Sequence, residues 1–91
     1  MTLDEYAQEV GNALRNAHNR KDRAALDAAF RDADATLTSN NISGPTAREF
    51  WSNVRKAAFA GQWLVEKQAN SALVDLMNAI QQGIAAREAQ K

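Results

Sequence analysis

The apolar residues in the first half of the chain recur at intervals of three and four, the spacing of residues on one face of a helix. Two such stripes occur, and they predict a helix over residues 3–19 and a second over residues 22–38. Their apolar positions are Leu3, Tyr6, Val10, Leu14 and Ala17, then Leu26, Phe30, Ala33 and Leu37. Thr2 and Glu5 have the spacing of a capping box, in which each side chain bonds the backbone amide of the other residue. Asp22 is a suitable N-cap for the second helix.

A loop over residues 38–45 separates this half of the chain from the second. Thr46 and Glu49 then repeat the capping-box spacing, and the apolar residues that follow predict a third helix over residues 46–61. A last apolar stripe comprises Val65, Ala69, Leu73, Leu76, Met77, Ile80 and Ile84. Its face is rotated by roughly 100° from that of the third helix. The pattern therefore predicts either a fourth helix that begins at residue 62 or 71 and ends near residue 88, or one long bent helix.

This helical period predicts an all-α fold: a small bundle of about four helices, or three with a long bent C-terminal helix, packed as two helical hairpins. With 91 residues, 45% of them hydrophobic, the chain has the size and composition of a single helical domain over residues 1–91. Five positions also match at an offset of 44 residues: Thr2, Glu5, Tyr6, Val10 and Ala13 correspond to Thr46, Glu49, Phe50, Val54 and Ala57. We interpret this match as two helices that begin with the same pattern rather than as a duplicated hairpin.

Composition excludes several classes of protein. The chain has no cysteine, so it has no disulfide framework and no cysteine-ligated metal. Its longest apolar run is four residues, whereas a membrane span needs about 20. The acidic residues near the N-terminus do not fit a secretion signal. We therefore expect a cytoplasmic protein without a membrane partner.

The residues that usually carry chemistry are sparse and poorly arranged for it. His18 is the only histidine, and its position near a helix end among basic residues predicts a surface side chain. Glu5 and Glu9 lie one turn apart, but they have polar neighbours rather than the apolar pocket that a catalytic acid requires. The sequence contains no catalytic triad order, no phosphate-binding loop and no spacing of metal ligands. We expect no catalytic residues, no metal and no cofactor, and therefore not an enzyme.

The third predicted helix carries a more informative cluster, because three aromatic residues project outside its Phe50–Val54 face. One interpretation is a central helix that is covered on all sides. The other is an exposed aromatic patch with basic neighbours, of the kind enriched at protein interfaces. The predicted partner-binding residues are Trp63, Phe59 and Trp51, with Arg55, Lys56 and Lys67 beside them. Of the three aromatic residues, Trp51 projects nearest to the apolar face and is expected to belong to the core.

The function that these features favour is a non-catalytic protein-binding module, which docks a helical face on another protein or on a second copy of itself. The size of the chain alone suggests a small regulator, for example a phage-encoded inhibitor of a bacterial defence complex. The alternative is a helical regulator that binds nucleic acid or a nucleoprotein through a basic junction, formed by Arg15, Arg20, Lys21 and Arg23. Acidic residues at positions 4–9 and 27–34 offset this basic charge, so nucleic acid is the less favoured partner.

Overall fold

The computed structural model describes residues 1–60 and 71–89 and shows four helices within them. These are α1 (Leu3–Asn19), α2 (Arg23–Ser39), α3 (Gly44–Ala58) and α4 (Ser71–Glu88). The described residues contain no strand, so the predicted all-α bundle is confirmed. No helix among them has both the length and the apolar character needed to cross a membrane.

The first two helices begin as predicted. The Glu5 amide donates to Thr2 Oγ1 over 3.1 Å, and the Thr2 amide donates to Glu5 Oε1 over 2.9 Å, which completes the capping box. At the start of α2, the Ala25 amide donates to Asp22 Oδ1 over 3.0 Å. These bonds satisfy first-turn amides that have no partner within their own helix.

The third helix differs from its prediction at both ends. It begins at Gly44, so the expected capping box at Thr46 is wrong: the N-cap is Ser43, and Thr46 lies inside the first turn. Pro45 allows the earlier start, because a proline ring suits the first turn of a helix, where no intrahelical amide bond is needed. The helix ends at Ala58 rather than at residue 61. The change from the third to the fourth apolar face, which the sequence places between residues 61 and 71, falls on residues 61–70, outside the described residues.

The α1–α2 and α2–α3 connections have the same hydrogen-bonding pattern. Each helix ends in a Schellman motif, in which the two residues after the C-cap donate back to carbonyls of the last turn. In the first connection the Asp22 amide donates to the Ala17 carbonyl over 2.9 Å, and in the second the Ile42 amide donates to Leu37 over the same distance. The motif needs a residue with a left-handed backbone, and in the α1–α2 connection this residue is Lys21, with a φ of 55°.

The helices α1 and α3 form the central pair of the bundle and run parallel to each other. The Tyr6 and Phe50 rings stack at 5.6 Å in the first halves of the two helices, and Arg15 reaches the α3 carbonyls near their ends. The helices α2 and α4 pack on the outside of this pair, on α1 and α3 respectively. The core consists of Ala7, Val10, Leu14, Ala17, Leu26, Phe30, Ala33, Leu37, Phe50, Trp51, Val54, Leu76, Ile80 and Ile84.

Contacts around Phe30 join α2 to α4. The Phe30 ring packs against Gly83, where a side-chain Cβ would lie 2.7 Å from the ring. The Arg87 guanidinium lies 4.5 Å from the centre of the Phe30 ring and 5.1 Å from that of Trp51, within the range of a cation–π interaction. Arg87 Nη2 also lies 2.6 Å from Asp34 Oδ2. The last turn of α4 is therefore held by aromatic and ionic contacts together.

Candidate partner-binding surfaces

The structure separates the residues of the predicted aromatic patch. Trp51 is only 2% exposed and packs edge-on against Phe50, with ring centres 5.2 Å apart, so it belongs to the core rather than to a docking surface. Arg55 Nη2 lies 2.7 Å from Glu88 Oε1, in an ion pair that links α3 to α4. Trp63 and Lys67 lie outside the described residues, and their assignment as partner-binding residues remains a prediction.

Phe59 and Lys56 lie on the last turn of α3. Phe59 is the C-cap residue and is partly buried against the core. Lys56 is exposed and borders a shallow groove between α1 and α3. Of the predicted patch, Lys56 is thus exposed at the surface, whereas Phe59 offers only part of its ring.

The basic junction is largely used in holding the fold together. The Arg15 guanidinium donates to the carbonyls of Ala57 and Ala58, over 3.1 and 3.3 Å, and also to the Ala60 carbonyl. Arg23 Nε donates to Asp27 over 3.1 Å. Arg20 and Lys21 are exposed at the end of α1. The four residues therefore do not form one free cationic surface.

The prediction that His18 is a surface residue is wrong, because the side chain is only 6% exposed. It follows Gly11 and Leu14 at helical spacing, so it continues the buried face of α1 into its last turn. Its Nδ1 lies 3.1 Å from Asn19 Oδ1. Within the described ranges, no three His, Cys, Asp or Glu side chains are grouped so that they could hold a metal ion.

An open apolar hollow lies at the end of the bundle where α1 begins and α2 ends. We call it the terminal hollow. Its volume is about 450 Å³, within the range of ligand and side-chain pockets. Its base is the buried Leu37, and Met1 at its edge is 81% exposed. The lining residues are Met1, Thr2, Leu3, Tyr6, Glu9, Thr36, Leu37, Asn40 and Ile42.

The walls of the terminal hollow are held in place by bonds that the structure shows. The Tyr6 hydroxyl donates to Thr36 Oγ1 over 3.1 Å, which links α1 to α2 across the hollow. The Schellman bond between Ile42 and Leu37 holds the wall formed by the α2–α3 connection. A hydrogen bond from the Thr2 backbone amide lowers the pKa of Glu5, on the first turn of α1, below its usual value. The hollow is thus a preformed feature of the fold.

A second, more polar hollow of about 410 Å³ lies on the other side of Ile42. It is bordered by the start of α3 and the end of α4, and Arg48, Arg87 and Asp34 line it. Arg87 already donates to Asp34 and to the Gly83 carbonyl over 2.9 Å. Through these bonds, residues that line the second hollow attach the end of α4 to α2.

The terminal hollow was not predicted from the sequence, although part of its signal is present there. The apolar stripe of α1 begins with Leu3 and Tyr6, at the very start of the helix. Ile42 is an isolated apolar residue within a polar loop.

No family model, curated protein or solved structure matches this chain.

Proposed function

We propose that this protein is a non-catalytic protein-binding module, and that the terminal hollow receives apolar side chains of its partner. The observation that carries this proposal is the grouping of the exposed Met1 with the partly exposed Leu3, Tyr6 and Ile42 around a common depression, whereas most other large apolar residues in the described ranges are buried. Exposed apolar side chains that share one depression are typical of a docking surface, whereas isolated ones are ordinary.

The shape of the hollow favours a protein segment over a small molecule. The hollow is open to solvent at the end of the bundle, and its lining combines a large apolar area with polar groups at the edge. Amphipathic helices bind in such grooves by inserting a few anchor side chains while their backbone hydrogen bonds stay within the helix. A partner helix could therefore bury its apolar face here without leaving backbone groups unpaired.

A nucleic-acid function has less support. Arg15 is bonded to the end of α3, and Arg23, although exposed, is paired with Asp27, which leaves Arg20 and Lys21 as the exposed cations of the junction outside these bonds. Binding to nucleic acid depends on several phosphate contacts made together. The terminal hollow supports a protein partner more directly than this junction supports a nucleic acid.

A comparison of two matched variants tests the proposal. Leu3→Ser makes the hollow more polar, and Val74→Ser changes an apolar residue that is 38% exposed on α4, away from the hollow. Each variant and the unchanged protein would be used to purify binding partners from the native host. We expect proteins captured by the unchanged protein and by Val74→Ser to be lost with Leu3→Ser. An identical set with all three proteins would contradict the proposal.

A further inference from the structure

We infer that the segment recognised by the terminal hollow is an amphipathic helix whose apolar anchors are flanked by lysine or arginine. This inference rests on the proposed function and adds the chemistry of the partner. It follows from the charge on the α1 side of the hollow, where the lining residue Glu9 is acidic.

The acidic groups come from the first turns of α1. Glu9 lines the hollow and is exposed, and the exposed Glu5 lies one turn before it on the same face of α1. The described lining residues include no lysine and no arginine. Because Glu9 lies beyond the first turn, the partial positive charge of the helix start offsets it little. A basic side chain beside the apolar anchor of a partner would therefore meet the Glu9 carboxylate.

One of these carboxylates is held in position by a bond to the protein, because Glu5 Oε1 accepts a hydrogen bond of 2.9 Å from the Thr2 amide. This bond leaves further lone pairs on the carboxylate, so the group can still accept from a partner. The position of Glu5 at the start of α1 is therefore fixed before binding.

Basic residues lie at the opposite end of α1. The exposed Arg20 and Lys21 follow the helix there, whereas Arg23, which begins α2, is paired with Asp27. Complementary potentials steer association and reject partners of the wrong sign. A cationic amphipathic segment is thus attracted to the end with the hollow and repelled from the other end.

A pair of synthetic peptides provides the test. Both are amphipathic and about 15 residues long, so that each can form a helix. They share one leucine stripe, and lysines flank the stripe in the first peptide whereas glutamates flank it in the second. Binding of each fluorescently labelled peptide is measured by anisotropy at low and moderate salt. We expect the lysine peptide to bind about tenfold more tightly than the glutamate peptide, and the difference to shrink as salt rises.

Charge reversals locate the effect. Glu9→Lys should remove most of the preference for the lysine peptide. Asp32→Lys makes the same change at an exposed position of α2 that does not line the hollow, and it should leave the preference within about twofold. Equal effects of the two variants would overturn the inference, because net charge rather than the hollow would then set the preference.

Leu3→Ser separates failure of the inference from failure of the proposed function. If both peptides bind equally and Leu3→Ser weakens both, the hollow binds apolar segments without selecting charge, and only the inference is overturned. If neither peptide binds, or if Leu3→Ser has no effect on binding, the proposed function fails as well. Concentration-dependent self-association that Glu9→Lys abolishes and the lysine peptide competes away would show a second copy as the occupant, which also overturns the inference.

Discussion

Gly11 of α1 and Ala57 of α3 lie so close together that a Cβ atom at position 11 would be 2.6 Å from the Ala57 Cβ. The same atom would lie 2.8 Å from the Ala58 amide nitrogen and 2.9 Å from the Val54 carbonyl oxygen. Two of these three neighbours are backbone atoms, which cannot turn aside as a side chain can. The close approach of the central helix pair therefore depends on a glycine at this position.

Gly11→Ala should lower the free energy of unfolding by about 1–2 kcal/mol. Overpacking costs about 1–3 kcal/mol, and the better helix propensity of alanine returns part of that cost. Chemical denaturation measures the change, with Asn12→Ala as a control because Asn12 is exposed on the same helix. If Gly11→Ala is as stable as that control, the two helices are not in the contact described.

The two tryptophans should respond differently to truncation. Trp51→Ala should lower the free energy of unfolding by about 3–5 kcal/mol, because it removes a buried ring that packs on Phe30 and Phe50. Trp63→Ala, if Trp63 belongs to a partner surface, should weaken association and leave thermal stability nearly unchanged. Thermal unfolding and binding would be measured on both variants. Unchanged association in a folded Trp63→Ala protein would contradict a binding role for Trp63.

The ion pair between Arg55 and Glu88 should make stability depend on pH. The hydrogen bond from Arg55 lowers the pKa of Glu88 below its usual value near 4.5. The contribution is therefore present above about pH 4.5 and is lost as the pH falls through the pKa of the folded protein. Glu88→Gln should cost about 0.5–1 kcal/mol at pH 7, since the pair is partly exposed. Denaturation curves at several pH values should show this difference disappearing in acid, and a constant difference would contradict the role of the pair.

Lys21→Gly should stabilise the protein by about 0.5–1 kcal/mol. A left-handed backbone costs a residue with a side chain about 1–2 kcal/mol, and the greater freedom of glycine in the unfolded chain cancels part of the gain. Lys21→Ala is the control, because alanine keeps the unfavourable backbone and should give no gain. Equal stability of the two variants would mean that the φ of 55° is not under strain.

The sequence predicted the helices well where the signals are local. The bounds of α1 match the prediction, and α2 is shifted by one residue, because the apolar stripes and the caps at Thr2 and Asp22 lie within the helices that they define. The start of α3 was predicted too late. Thr46 and Glu49 have the capping-box spacing, but Pro45 allows the helix to begin earlier, at Gly44. The end of α3 depends on Arg15, which comes from another helix and which no local pattern could identify.

The candidate site was harder to predict for the same reason. The terminal hollow combines the start of α1, the end of α2 and the loop residue Ile42, and only the folded connection brings them together. The aromatic residues were predicted to form a partner surface because of their type. The burial of Trp51, however, is decided by its contacts with Phe30 and Arg87, which are distant in sequence. His18 was assigned to the surface from its neighbours in sequence, although its helical face is the one that decides its burial.

The parallel pairing of α1 with α3 also determines the order in which the chain can fold during synthesis. The hairpin of α1 and α2 has only local contacts to make and can form as soon as both helices leave the ribosome. The face of α1 that carries Gly11 stays uncovered at this stage, because α3 begins at Gly44 and is still being translated. Until that helix arrives, Gly11 lacks its neighbours Val54, Ala57 and Ala58. The nascent hairpin is therefore the species that a chaperone would have reason to hold.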